Sequence, residues 1–306
     1  MKKLLALMIA LALALCACAL AEEEEENYDT GDATLDLVRN EDGIGEKELL
    51  VASFGTSYND SRRLTIGGIE AAIDAATDCD VRRGFTSQII IDHVERRDGI
   101  HIDSVAEALD RAVANGVKTL VIQPTHLMRG FEYDELVAEI AKRAFDFECV
   151  AVGEPLLASD ADCDRVADIL IDLMKPYDDG KTAIVYMGHG TEHAANAVYA
   201  QMQAIMADKG AANYYVGTVE AEPSLEDVMA AIGGKGYSRV VLRDMMVVAG
   251  DHANNDMAGD EPDSWKSILT DAGYKVECVL EGLGQVPEIQ AIYVEHAMKA
   301  LADAEG

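Results

Sequence analysis

Three residues at the ends of apolar runs carry the chemistry that this sequence can offer. His189 follows the run Thr182–Met187 directly and sits between Gly188 and Gly190. His252 closes Val247-Val248-Ala249-Gly250-Asp251-His252, and Glu220 ends Tyr214–Val219. Two imidazoles and a carboxylate form a borderline ligand set suited to Co²⁺, Ni²⁺, Fe²⁺ or Zn²⁺. Three protein ligands also leave a coordination position open for exchange. Any one of these histidines, taken alone, is more simply read as a hydrogen-bonded loop residue. The argument rests on three ligands at three strand ends.

Other polar residues are weaker candidates. His193 stands four residues after His189, which mimics an i, i+4 metal pair. Gly190 intervenes and a helix is expected to begin near Thr191, so His193 is placed behind the ligands or on the surface. His126, in Gln123-Pro124-Thr125-His126, and Glu132 occupy the matching strand end earlier in the chain. They are expected to face the metal site or to be ordinary loop polarity. His93, His101 and His296 fall in or beside helical patterns and are expected to be structural or surface residues. Arg82, Arg83, Arg96, Arg97 and Arg129 are conspicuous in an acidic chain and could meet carboxylates of a substrate, although such residues on helix faces are ordinarily solvated. Gly188-His189-Gly190 lacks the rest of a dinucleotide or Walker pattern, so no nucleotide is expected. No H-E-x-x-H supports a zinc hydrolase.

The positioning elements read as α/β. Strands are expected at Leu49–Phe54, Val117–Gln123, Cys149–Val152, Thr182–Met187, Tyr214–Val219, Val240–Leu242 and Lys275–Leu280, with a weaker one at Asp80–Gly84. Helical patterns lie between them, among them Ser61–Ala76, Glu132–Phe145, Ala161–Met174 and Glu288–Ala302. The halves echo each other: Val51-Ala52-Ser53-Phe54-Gly55-Thr56 resembles Val185-Tyr186-Met187-Gly188-His189-Gly190-Thr191. A duplicated unit of this kind, 47–175 and then 181–304, sets its site in the cleft between halves at the carboxyl ends of strands.

The chain has 306 residues and 49% apolar content, enough for a large core. Its formal charge of −31 argues against nucleic acid as a partner. Lys2 and Lys3, the apolar run Leu4–Leu20 and Ala19-Leu20-Ala21 read as a signal peptide over 1–21. Leu15-Cys16-Ala17-Cys18 is an imperfect lipobox, so lipidation at Cys18 competes with cleavage before Glu22. An exported protein, periplasmic or otherwise extracytoplasmic, is expected, touching a membrane only through such an anchor. Residues 22–46 are acidic and poor in large apolar side chains, and are expected to form a flexible tether. Cys79, Cys149, Cys163 and Cys278 show no C-x-x-C spacing, so a thiolate metal site is not expected. Nothing in the composition opposes a homo-oligomer.

These residues lie in stretches that resemble the class II, anaerobic-type sirohydrochlorin cobalt chelatases. The matching stretches are Leu50–Tyr58, Phe85-Thr86-Ser87, Arg97–Ile100, His126–Tyr133, Met187–Gly190, Gly250–Ala253, Asn255–Ala258, Asp263–Lys266 and Gly282-Leu283-Gly284. The resemblance runs in order through residues 47–304. It implies two chelatase-type domains, each a four-stranded parallel sheet flanked by helices, with sirohydrochlorin or a related tetrapyrrole and a divalent metal, Co²⁺ foremost and Fe²⁺ or Ni²⁺ next, meeting in the cleft. It implies metal ligands at His189, Glu220 and His252, and further active-site residues at His126 and Glu132. Arg129 and Asp244-Met245-Met246 depart from the family pattern, as does the leader. An exported, non-catalytic carrier of metal, haem or tetrapyrrole with the same ligands is the competing reading.

Overall fold

The computed structural model describes residues 30–306. The expected leader and the first residues of the expected tether lie outside them.

Eight strands form two four-stranded parallel sheets. The first comprises β1 (Lys47–Ser53), β2 (Asp80–Phe85), β3 (Thr119–Pro124) and β4 (Cys149–Val152), in the order β2-β1-β3-β4. The second comprises β5 (Thr182–Gly188), β6 (Tyr214–Thr218), β7 (Arg239–Asp244) and β8 (Lys275–Val279), in the order β6-β5-β7-β8. The two orders are the same topology used twice. Strands β1 and β5 are buried along nearly their whole length, as parallel strands covered on both faces must be. In each sheet the order reverses between the two central strands, which opens a crevice beyond their carboxyl ends. The loops after β1, β3, β5 and β7 all rise from those ends.

Helices cover the sheets where the sequence supplies starts and stops. Ser104 and Ser224 each close a capping box with Glu107 and Asp227, and Gly99 and Gly116 end their helices in the left-handed region. The pattern Ser61–Ala76 is broken in two, Asn59–Leu64 and Ile66–Asp74, at Thr65, whose ψ is −74°. The helix Trp265–Asp271 and the π-helical turn Ala253–Met257 carry no long periodic signal and were not expected.

A division at 175–181 separates the two sheets along the chain, but packing does not follow it. The helix Asp160–Met174 lies against the second half: Tyr186 and Tyr214 donate hydroxyl hydrogens to the carbonyls of Leu170 and Ile171 at 2.6 and 3.4 Å. The last helix, Pro287–Glu305, returns to the first half and packs on β3, β4 and the helix Ile66–Asp74. There Tyr293 donates to the Thr125 carbonyl at 2.8 Å. The halves thus trade their final helices, and one apolar core runs through both, joining Leu49, Val121 and Leu170 to Tyr186, Val241 and Ile292.

The tether expectation is corrected over residues 32–46. Asp36 is buried between Arg62 and Arg83, Arg39 reaches Glu70, and Val38 packs into a small apolar cluster. Asp36 meets buried arginines, while Glu41, Asp42 and Glu46 stay largely exposed and pair with Arg82, Arg111 and Lys118 of the first half. Arg82 and Arg83 are buried in such pairs, with Glu41 and with Asp36 and Glu70, so neither is available to a substrate.

Candidate metal centre

His189, Glu220 and His252 are brought together at the mouth of the second half, with one ligand atom from each within 4.8 Å of the others. Local backbone fixes the first two. The amides of Val219 and Glu220 donate to the carbonyls of Gly188 and His189 at 3.0 and 2.8 Å, which continues the β5–β6 pairing past the sheet. Glycine is required on both sides of His189. A Cβ on Gly188 would lie 2.2 Å from the Tyr199 ring, and Gly190 has φ +89° with Ala221 pressed against it. Tyr199 in turn accepts the Gly190 amide at 3.3 Å.

Hydrogen bonds at Nδ1 set the ring orientations. His189 Nδ1 donates to the Gly190 carbonyl at 2.7 Å, and His252 Nδ1 lies 2.6 Å from Asp256 Oδ2. Each ring therefore keeps the tautomer that leaves Nε2 free to bind a metal. The rings stand edge to face with centroids 4.6 Å apart, and His189 Nδ1 is 3.9 Å from Glu220 Oε2. Metal bonds of ~2.1 Å put tetrahedral ligand atoms about 3.4 Å apart. Small side-chain rotations would close the trio around an ion. The side chains are 45%, 56% and 32% exposed for His189, Glu220 and His252, so the fourth direction opens to the cleft.

That cleft is a cavity of about 580 Å³ shared by both halves. The loop after β1 contributes Phe54, Thr56 and Ser57, and the loop after β3 contributes His126, Leu127 and Met128. The trio and Met246 line the opposite wall. His126 is buried, and neither ring nitrogen has a hydrogen-bond partner among the described residues. Burial pushes its imidazole down to about 4, so it stands neutral. Glu132 Oε2 is 3.7 Å from its Nε2, too long for a hydrogen bond. Burial raises the Glu132 carboxyl, against the pull of His189. His126 and Glu132 thus share the cavity with the trio.

His193 bridges the cleft mouth rather than joining the ligands. Its Nδ1 accepts the Ala195 amide at 3.0 Å, its ring meets Phe131 of the first half edge-on at 4.9 Å, and Nε2 is 3.6 Å from Asp134. Arg129 pairs with Glu154, and Arg97 holds the Ser57 carbonyl and Asn59. His296 packs between Glu154 and Asp162, away from the cleft. Sequence reading overlooked Asp256 and Tyr199. Asp256 was legible, since it lies one helical turn after His252 where a carboxylate can orient an imidazole. Tyr199 left no such signal.

A family model described as cobalt chelatase (CbiK) matches residues 47–302. The sirohydrochlorin cobaltochelatase of Salmonella typhimurium strain LT2 is 39% identical over 258 residues, which cover 84% of this chain and 97% of that protein. The sirohydrochlorin cobaltochelatase CbiKC of Nitratidesulfovibrio vulgaris is 29% identical over 259 residues, 84% of this chain and 91% of that one. Among solved structures, SirB from Bacillus subtilis with Fe³⁺ shares the fold at a TM-score of 0.61 and 12% identity, covering 86% of this chain and 98% of its own.

Proposed function

The chain belongs to the cobalt chelatase family, and from that premise we propose that it inserts a divalent metal, Co²⁺ first, into sirohydrochlorin. The observation that carries the reading is the convergence of two imidazoles and a carboxylate, one ligand atom from each within 4.8 Å of the others, at the open wall of a cavity walled by both halves.

In this reading His189, Glu220 and His252 hold the incoming ion, which sheds water as it passes to the macrocycle. Insertion replaces two pyrrolic hydrogens by one dication, so two protons must leave. Glu132 takes them one after the other; its carboxyl is raised by burial, yet its side chain is 49% exposed and can pass each proton to water before accepting the next. His126, neutral and with no hydrogen-bond partner for its ring among the described residues, is positioned to hydrogen-bond the macrocycle edge. The apolar side chains Phe54, Leu127 and Met246 give its faces contact surface. Iron and nickel suit the same ligands.

The test follows the absorbance of sirohydrochlorin with Co²⁺, Fe²⁺ or Ni²⁺, with and without protein. Protein-dependent metallation at micromolar enzyme supports the reading. Tight binding of the tetrapyrrole with no turnover for any metal would instead favour a carrier, a role that the leader-like residues 1–21 would suit. Export through that leader, with a mature start at Glu22 or a lipidated Cys18, is part of the same proposal.

A further inference from the structure

A chain of contacts runs from the segment before β1 to the loop that carries His252. Asp36, whose side chain is 5% exposed, accepts from Arg62 Nε at 2.7 Å and from both Arg83 Nη atoms at 2.6 and 3.0 Å. Arg62 and Arg83 have no exposed side-chain surface. Arg83 also donates twice to Glu70, whose carboxylate is equally buried, at 2.7 and 2.8 Å. Without Asp36, Arg62 and Arg83 would each lose a carboxylate partner, and a buried charge left without its partner is strongly destabilising.

Arg62 is also the prop of the cleft wall. Its Nη1 donates to the Thr56 carbonyl at 3.2 Å, and its Nη2 to Asn59 Oδ1 at 2.7 Å. Thr56 lines the cavity, and its hydroxyl abuts Gly250 so closely that a Cβ there would lie 3.1 Å away. Gly250 is two residues before His252. A second route runs through apolar contact. Val38 of the same segment and Val248 of the His252 loop both pack against the cluster of Ile66, Phe85, Ile91, Val94 and Ile102. The segment is tied down along its length by Gly43 to Asn115 and by Asp42 to Arg111. It also lies wholly before residues 47–302, the part that matches the family.

We infer that residues 32–46 form a strap that positions the active-site cleft, with Asp36 acting through Arg62 on the Thr56 wall and Val38 acting on the His252 loop. Asp36 is a positioning residue; it touches neither metal nor macrocycle. Only the kinetic consequence rests on the chelatase reading, because the strap's hold on the two loops is a property of the protein alone.

The test is amide hydrogen exchange on the full chain carrying Asp36→Asn, with Lys142→Gln as a surface control. Amides of 54–59 and 247–253 should exchange on the order of tenfold faster, while those of β5 and β7 stay unchanged. In turnover, KM for sirohydrochlorin should rise about tenfold with kcat within about twofold, and Asp36→Glu should recover part of the loss. Unchanged exchange in both loops would overturn the strap's role, as would a uniform rise through both sheets, which marks mere destabilisation. Should Asp36→Asn fail to fold, Val38→Ala decides: about threefold faster exchange confined to 247–253 supports the inference, and none refutes it. If the unmodified protein shows no turnover, the chelatase reading falls while the exchange result still judges the strap.

Discussion

The imidazole of His252 and the carboxylate of Asp256, four residues on in the π-helical turn that His252 caps, lie 2.6 Å apart. The carboxylate makes Nδ1 the protonated nitrogen and turns Nε2 to the cleft. Removing such a partner typically costs 10–100-fold in metal affinity. Asp256→Ala should therefore weaken Co²⁺ binding by about that factor, and Asp256→Asn, which can still accept the hydrogen bond, by less. Titration of Co²⁺ absorbance checks both; equal, near-native affinity in the two variants would remove Asp256 from the site.

His189→Ala and His252→Ala should each abolish metal insertion and sharply weaken Co²⁺ binding while the circular dichroism stays native. Both residues sit on loops past strand ends and contribute little to the core. Glu220→Gln, which keeps the shape and removes the charge, should weaken binding and slow insertion together. His193→Ala and His296→Ala should be much milder. A His193→Ala variant as damaged as His189→Ala would mean that the ligand trio is wrongly drawn.

Across the cleft the expectation differs. Glu132→Gln and His126→Ala leave all three proposed ligands intact, so metal affinity should hold while the insertion rate falls about tenfold or more. Stopped-flow insertion rates beside direct metal titration separate the two quantities. A loss confined to metal affinity would return both residues to a binding role and favour the carrier.

Asp244 gives the fold a pH dependence of defined sign. It ends β7 fully buried, and burial raises its carboxyl to about 7. An unfolded aspartate titrates near 3.9, so between about pH 4 and 7 the folded state holds a proton that the unfolded state has released. The stability from keeping that carboxyl neutral is complete below pH 4 and is lost as pH rises to 7. Asp244→Asn should match the native melting temperature near pH 4 and exceed it at pH 8, by a free energy of up to about 4 kcal/mol. Thermal melts across that range check it; a variant no more stable at pH 8 than the native protein would contradict the burial argument.

The export proposal is checked by mass spectrometry of the protein expressed with residues 1–21. The chain should begin at Glu22 or at a lipid-modified Cys18. An intact Met1 in the cytosolic fraction would rule it out.

Much of this was legible in residue order. Apolar runs mark β1, β5 and the Val240–Leu242 centre of β7, because parallel strands buried on both faces favour continuous apolar sequence. His189 and His252 were findable since a strand end in a doubly wound sheet is where ligands gather. The strap was misread because acidic, apolar-poor sequence looks the same whether its carboxylates face water or a buried arginine. Asp36 is distinguished from Asp32 only by Arg62 and Arg83, which lie 26 and 47 residues away. The break at Thr65 and the π-helical turn depend on side-chain packing across elements, which periodicity does not encode.

The exchange of final helices has a further consequence for how the molecule comes apart. Two copies of one unit, each surrendering its last helix to the other, describe a domain swap carried out within a single chain. Neither half is then a self-sufficient folding unit. Residues 47–175 expressed alone would leave the surface beneath Pro287–Glu305 bare, with no Tyr293 hydroxyl to donate to the Thr125 carbonyl, and would extend Asp160–Met174 with no sheet to lie on. Cut and mixed as separate polypeptides, the halves should be unstable singly and should recover their structure as an obligate heterodimer, joined by the same two helices that now lock one chain to itself.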